Sequence, residues 1–150
     1  MIPTADLDLL VRRHVYDVTL SRGYPPTLAE AVASLHAPQT DILASFQRLA
    51  AAHVLVLQAD NGEILMASPF SAVPTPFLVQ LEAFSCYGNC IWDALGIPAM
   101  LKQNARIRTA CADCGSAMDL SVVDGMLRPA DGIVHFALPA RRWWEDIVFN

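Results

Sequence analysis

The fold of this chain is decided by residues 87–98, which read YGNCIWDALGIP and mark the change from an extended segment to a helix predicted over residues 90–101. Cys90 stands where the helix begins, and the unpaired backbone N–H groups and dipole there favour a thiolate and lower its pKa. Asp93, three residues on, projects from nearly the same face. The spacing predicts a reactive thiol beside a proton donor, or alternatively a buried small residue and a carboxylate that satisfies the helix end.

Strands are predicted on both sides of this helix. Runs rich in β-branched and apolar residues, bounded by turn residues, are typical of strands. An irregular or extended stretch reaches Asn89, and Asp124-Gly125 is predicted as a turn. The predicted strands cover residues 77–81, 105–110, 118–123 and 133–138.

Three helices and a hairpin are predicted before residue 70. Thr27 followed by Glu30 is a capping-box pattern that opens the second helix. The first helix is predicted at residues 6–20, the second begins after Thr27, and the third is predicted at residues 40–52. The hairpin strands at residues 53–58 and 63–67 flank the turn Asp60-Asn61-Gly62. This order is that of the winged helix, a variant of helix-turn-helix.

The predicted fold class is therefore α+β, in two parts. A winged-helix-like domain takes residues 1–70, and a small mixed α/β module takes residues 77–150. Residues 71–76 form an extended linker in this interpretation, because each proline biases the residue before it away from helix.

Composition narrows the class of protein. Hydrophobic residues make up 54% of the 150 residues and charged residues 17%, yet no apolar run approaches the roughly 18 residues that span a bilayer. Residues 1–10 carry Asp6 and Asp8 and do not read as a signal peptide. We therefore expect a cytoplasmic protein without a membrane segment, in which cysteines are mostly reduced.

Charge argues against a nucleic-acid partner. The net charge is -5, and the third predicted helix, where a recognition helix would lie, offers only Arg48 as a permanent cation. DNA binding needs a more basic surface. A structural or dimerising winged helix, compatible with a homodimer, is the alternative.

The four cysteines, Cys86, Cys90, Cys111 and Cys114, all lie in the second part of the chain. Their spacing is C-x3-C, twenty residues, then C-x2-C, which is close to two knuckles around a structural zinc ion. The first pair lacks the usual two-residue spacing, whereas the second pair has it. A metal site on all four cysteines therefore stands beside the thiol chemistry of Cys90.

Residues 89–101, NCIWDALGIPAML, resemble the signature of the alkylmercury (organomercurial) lyase family. Residues 105–123, 131–134 and 143–147 resemble later family segments, and an N-terminal winged helix is also a family feature. The resemblance implies protonolysis of a carbon–mercury bond by two cysteine thiolates and an aspartate, with no organic cofactor. Cys90 and Asp93 match the first cysteine and the aspartate.

One expected thiol has no match. The family's second catalytic cysteine follows the region that resembles residues 143–149, and Asn150 is the last residue given. Cys86 is the nearest substitute in sequence, and Cys111 and Cys114 could approach in space.

Two functions remain at this point. One is an alkylmercury-lyase-like enzyme acting on a small-molecule organomercurial or related soft electrophile, with Hg as substrate or product. The other is a non-enzymatic module in which the cysteines bind structural Zn or a soft metal for sensing, and the winged helix supports dimerisation or DNA contact.

The other candidates are interpreted as structural. Trp143-Trp144 is expected to pack against the core, with a pocket-lining role as the alternative. The four histidines have no ligand spacing, and they are His14, His36, His53 and His135.

Overall fold

The computed structural model describes residues 3–148. Three α-helices lie in the N-terminal half of the chain, a fourth lies in the C-terminal half, and the strands of one sheet come from both halves. The helices are α1 (Thr4–Arg22), α2 (Leu28–Leu35), α3 (Gln39–Ala51) and α4 (Ile91–Leu101), with a 3₁₀ helix at Ala140–Glu145. The strands are β1 (Leu55–Leu57), β2 (Ile64–Ala67), β3 (Phe70–Ser71), β4 (Leu78–Gln80), β5 (Ser85–Gly88), β6 (Ala105–Ala110), β7 (Ala117–Val123) and β8 (Met126–Arg128).

A single antiparallel sheet joins the strands in the order β1-β2-β3-β5-β4-β6-β7-β8. The short strand β3 connects the β1–β2 hairpin to the strands from β5 to β8, because Phe70 pairs with Ala67 of β2 and with Gly88 of β5. The α+β class is therefore confirmed. Three helices precede a hairpin as predicted, while the winged-helix assignment and the domain boundaries stay predictions.

No helix in the described range is both long enough and apolar enough to cross a membrane.

The first two helices begin and end as local chemistry dictates. Helix α1 ends at Gly23, whose left-handed backbone (φ 94°) lets its N–H donate to the Thr19 carbonyl at 2.7 Å. Thr27 and Glu30 form the predicted capping box. Hydrogen bonds from Arg22 and Thr27 lower the pKa of Glu30 to about 2. The turn between α1 and α2 is thereby held by charge as well as by caps.

Arg48 of α3 is engaged within the protein. Its Nε and Nη2 donate to Asp8 at 2.8 and 2.7 Å, and the Ser45 hydroxyl donates to the same carboxylate at 2.6 Å. The fork-shaped pair joins α3 to α1. The one permanent cation of the third helix is thus committed to a structural contact.

Two hydrophobic cores lie against the sheet. The first packs the three N-terminal helices on β1 and β2, and the second packs α4 on β4 to β7. Tyr16 contacts both cores, and its hydroxyl donates to the Ser68 carbonyl at 2.9 Å. The fully buried residues of the first core include Val11, Ile42 and Phe46, and those of the second include Phe70, Ile97 and Ile107.

The strand predicted at residues 133–138 is wrong. This segment has no strand pairing, and the chain after the Asp124-Gly125 turn instead forms β8. Ile133 is 93% exposed, so the apolar alternation that suggested a strand does not mark a buried face. Phe136 packs against Trp143 instead. The stretch expected to be irregular or extended before Asn89 contains β5.

Gly23 also sets the distance between α1 and β5. A Cβ at this position would overlap the backbone carbonyl of Ser85, the first residue of β5. Only glycine tolerates both this approach and the positive φ. The placement of β5, which leads into Cys90, therefore depends on Gly23.

Gly23→Ala should lower the free energy of unfolding by about 3 kcal/mol or more, because left-handed strain and backbone overlap add. Gly125→Ala is the matched control: its φ is also positive, at 76°, but a Cβ there meets open space. That variant should lose about 1–2 kcal/mol, the strain alone. Urea denaturation of both variants measures the difference, and equal losses would contradict the close approach.

Candidate functional site

Cys90 lies at the junction of β5 and α4. Strand β5 ends at Gly88, and Cys90 is the residue immediately before α4, with an extended backbone (φ -145°, ψ -178°). Its carbonyl accepts the Ala94 N–H at 3.0 Å. The predicted position of Cys90 at the start of a helix is therefore confirmed.

The junction is held tightly by groups that sequence reasoning did not single out. A Cβ at Gly88 would lie 2.8 Å from the Ala94 nitrogen, so β5 and the first turn of α4 are in close contact. The Thr75 hydroxyl donates to the Gly88 carbonyl at 2.6 Å, and the Gly88 N–H donates to the Phe77 carbonyl at 3.0 Å. Thr75, in the predicted linker, thus anchors the strand that delivers Cys90.

The pKa of the Cys90 thiol shifts opposite to the direction expected from its position at a helix start. Burial raises the pKa of the Cys90 thiol, and the negative charge of Asp93 raises it further. The backbone N–H groups of Asp93 and Trp92 lower this pKa, as a helix start should, but they do not outweigh burial. Burial therefore favours the neutral thiol of Cys90 over the thiolate.

Asp93 faces the same sulfur. Burial raises the pKa of the Asp93 carboxyl, while the nearby Asn89 and Cys90 side chains lower it. The polar atoms of the Asn89 side chain are buried and have no hydrogen-bond partner within residues 3–148. The structure thus brings Cys90 and Asp93 together, with Asn89 as a neighbour that the sequence did not indicate.

A pocket of about 210 Å³ opens over this pair. One wall comes from the end of β2, the floor from the start of α4, and the other wall from the segment around the 3₁₀ helix. Its lining is mostly apolar, and consists of Met66, Ser68, Asn89, Cys90, Asp93, Phe136, Trp143, Trp144, Ile147 and Val148. Few polar groups in an apolar cavity are typical of a small-molecule site.

Two ring contacts hold the wall that contains the 3₁₀ helix. Trp144 stacks on His53 with ring centroids 3.8 Å apart and planes within 6°, and Trp143 packs on Phe136 at 4.8 Å. The Trp143 indole N–H also donates to the Leu138 carbonyl at 3.0 Å. The tryptophan pair therefore lines the pocket, and His53 ties it to the turn after α3.

The remaining cysteines lie elsewhere. Cys86 is in the second core, where burial raises its pKa to about 12. Cys111 and Cys114 lie on the turn between β6 and β7; hydrogen bonds from Ser116, and then from Cys111, lower the pKa of Cys114 to about 7. Neither this pair nor Cys86 lines the pocket.

The four-cysteine metal site is not assembled in the part of the chain that the structure covers. There, no group of three or more His, Cys, Asp or Glu side chains could hold a metal ion. Phe149 and Asn150, where the motif expected to precede a second catalytic thiol ends, lie outside the described residues.

Comparison with known proteins supplies a family. Residues 70–149 match the family model described as alkylmercury lyase. A solved structure titled the mercury-bound form of MerB2 has a similar fold, with a TM-score of 0.60 and 19% sequence identity. The likeness covers 80% of this chain but only 57% of the other chain. No curated protein sequence matches this chain.

The raised pKa of Cys90 predicts slow alkylation by iodoacetamide, with a pH midpoint above the value of about 8.5 for an ordinary cysteine. Asp93→Asn removes a negative charge that raises this pKa, so the midpoint should fall and alkylation at mildly alkaline pH should quicken. Peptide mass spectrometry reads each site separately.

Cys114 is the internal control for that measurement, since it is exposed and its pKa is about 7. Its midpoint should lie below that of Cys90 and should not move in Asp93→Asn. A Cys90 midpoint below that of Cys114 would contradict the dominance of burial.

Proposed function

Since this chain belongs to the alkylmercury lyase family, we propose that its Cys90–Asp93 pocket binds an organomercurial and cleaves the carbon–mercury bond by protonolysis. The observation that carries the proposal is that the Cys90 thiol and the Asp93 carboxyl line the same apolar cavity and shift each other's pKa. Cleavage of a carbon–mercury bond needs a thiol that binds the mercury and an acid that donates a proton, and both groups must reach the same substrate.

The first step is capture of the substrate by Cys90. Mercury is soft and binds thiolate strongly, so the sulfur displaces the labile ligand of the organomercurial and forms a sulfur–mercury bond. The thiol proton passes to the Asp93 carboxylate, which lines the same pocket. A high thiol pKa is compatible with this step, because the proton has an acceptor in contact.

The second step is cleavage. Asp93, now protonated, donates its proton to the carbon, and the electron pair of the carbon–mercury bond becomes the new carbon–hydrogen bond. Burial raises the pKa of Asp93 and thus favours the protonated acid. The products are a hydrocarbon and mercury(II) bound to Cys90.

A second thiolate completes the cleavage step by donating to mercury as the carbon leaves. The family resemblance implies a protein cysteine for this role, and Cys90 is the cysteine that lines the pocket within residues 3–148. Any other thiol, including an added monothiol, can enter by the open side of the cavity. Its proton leaves to solvent, and Asp93 is left as the carboxylate with which the first step began.

The apolar wall suits the organic group of the substrate. Phe136 and Trp143 pack against each other beside Cys90, and Met66 lies across the cavity. These side chains exclude water around the carbon–mercury bond and strengthen the interaction of Asp93 with the developing charge. Short alkyl or aryl groups fit a cavity of about 210 Å³.

Asp93→Asn should reduce hydrocarbon release by about 100- to 10,000-fold, because a general acid contributes that much, while leaving the thiol able to form an adduct. Cys90→Ser should remove both the pocket adduct and release. Gas chromatography of the hydrocarbon, with excess monothiol present, measures turnover, and intact-protein mass spectrometry measures the adduct.

Cys111→Ser is the matched control for turnover, since it makes the same chemical change outside the pocket and should leave hydrocarbon release unchanged. Full hydrocarbon release by Cys90→Ser, or no hydrocarbon release by the unmodified protein with monothiol present, would contradict the proposal.

A further inference from the structure

The turn between β6 and β7 places two thiols at the protein surface. Ala110 pairs with Ala117 at the end of the β6–β7 ladder, and residues 111–116 form the loop. The Gly115 N–H donates to the Cys111 carbonyl and the Cys111 N–H donates to the Ser116 carbonyl, each at 2.9 Å. Gly115 has the positive φ of 72° that such a turn requires. The loop is therefore a closed, well-braced structure.

The two sulfurs in this loop are neighbours. Cys111 and Cys114 lie three residues apart on this closed loop, and the Cys114 sulfur lies 3.1 Å from the Ser116 hydroxyl. Cys114 is exposed and Cys111 is half-buried, so a solute can reach both. The six-pair β6–β7 ladder lies directly behind the loop and holds its two ends together.

We propose that Cys111 and Cys114 form a chelating dithiol that binds one soft, two-coordinate metal ion of the mercury(II) class. Soft ions select thiolates, and a mercury(II) ion is satisfied by two of them. On binding, two sulfur–hydrogen bonds are replaced by two sulfur–metal bonds and two protons leave to solvent. No oxidant or reductant takes part.

Zinc is a poor occupant of this pair. Structural zinc takes four ligands, usually cysteine and histidine, in a tetrahedron. Around this loop, as elsewhere in the described part of the chain, no third His, Cys, Asp or Glu completes such a set. The preference for a two-coordinate ion therefore follows from the ligand count.

The dithiol is separate from the Cys90 pocket, whose lining contains neither cysteine. It takes the free ion in preference to an organomercurial, because an alkylmercury cation has one open position and engages one thiolate. Metal binding at the loop can therefore be tested separately from carbon–mercury cleavage in the pocket.

The test uses the whole chain with Cys90→Ser, fully reduced and without oxygen, titrated with mercuric chloride against excess monothiol. Sulfur-to-mercury charge-transfer absorption and native mass spectrometry should show one ion per chain that the monothiol does not remove. Adding Cys111→Ser or Cys114→Ser should each weaken binding by at least about 100-fold, because either change removes the chelate.

Ser116→Ala is the matched control, since the hydroxyl is not a ligand and tight binding should survive its loss. Three results would overturn the proposal: tight binding that persists in either single cysteine variant, removal of the ion by monothiol, or an ion shared between two chains. Equally tight binding of zinc chloride would also overturn it.

Discussion

The placement of the Cys90 thiol beside the Asp93 carboxyl in one pocket is the constraint on which the chemistry depends. Both groups are partly removed from water, and burial raises the pKa of each. When the pair holds one proton, that proton can pass from the Cys90 sulfur to the Asp93 carboxylate as the sulfur binds mercury. The helix start lowers the cost of a transient thiolate, because the backbone N–H groups of Trp92 and Asp93 lower the pKa of the thiol.

The rest of the structure holds this contact in place. Gly23 lets α1 approach β5, Thr75 fastens the end of β5, and Gly88 lets β5 touch the first turn of α4. The stack of Trp144 on His53 then joins the wall of the pocket to the helical part of the chain. Residues from β2, from the start of α4 and from the segment around the 3₁₀ helix therefore line one cavity, and the continuous sheet joins β2 to β5 through β3.

The features that the sequence predicted correctly are those that depend on local rules. The Thr27 capping box, the helix that begins after Cys90 and the strands on either side of it depend on neighbours a few residues away. The pKa of Cys90 was predicted in the wrong direction, because burial by residues far along the chain outweighs the helix dipole. The His53–Trp144 stack spans about ninety residues and has no local signal. Residues 133–138 showed a strand pattern but found no strand to pair with.

The most direct measurement is a crystal structure of the protein soaked with an organomercurial, in which anomalous scattering locates mercury. The proposed chemistry predicts mercury bound to the Cys90 sulfur inside the pocket, with the Asp93 carboxyl beside the mercury-bound carbon or, after cleavage, beside the bare ion. Mercury on Cys111 or Cys114 with none at Cys90 would contradict it.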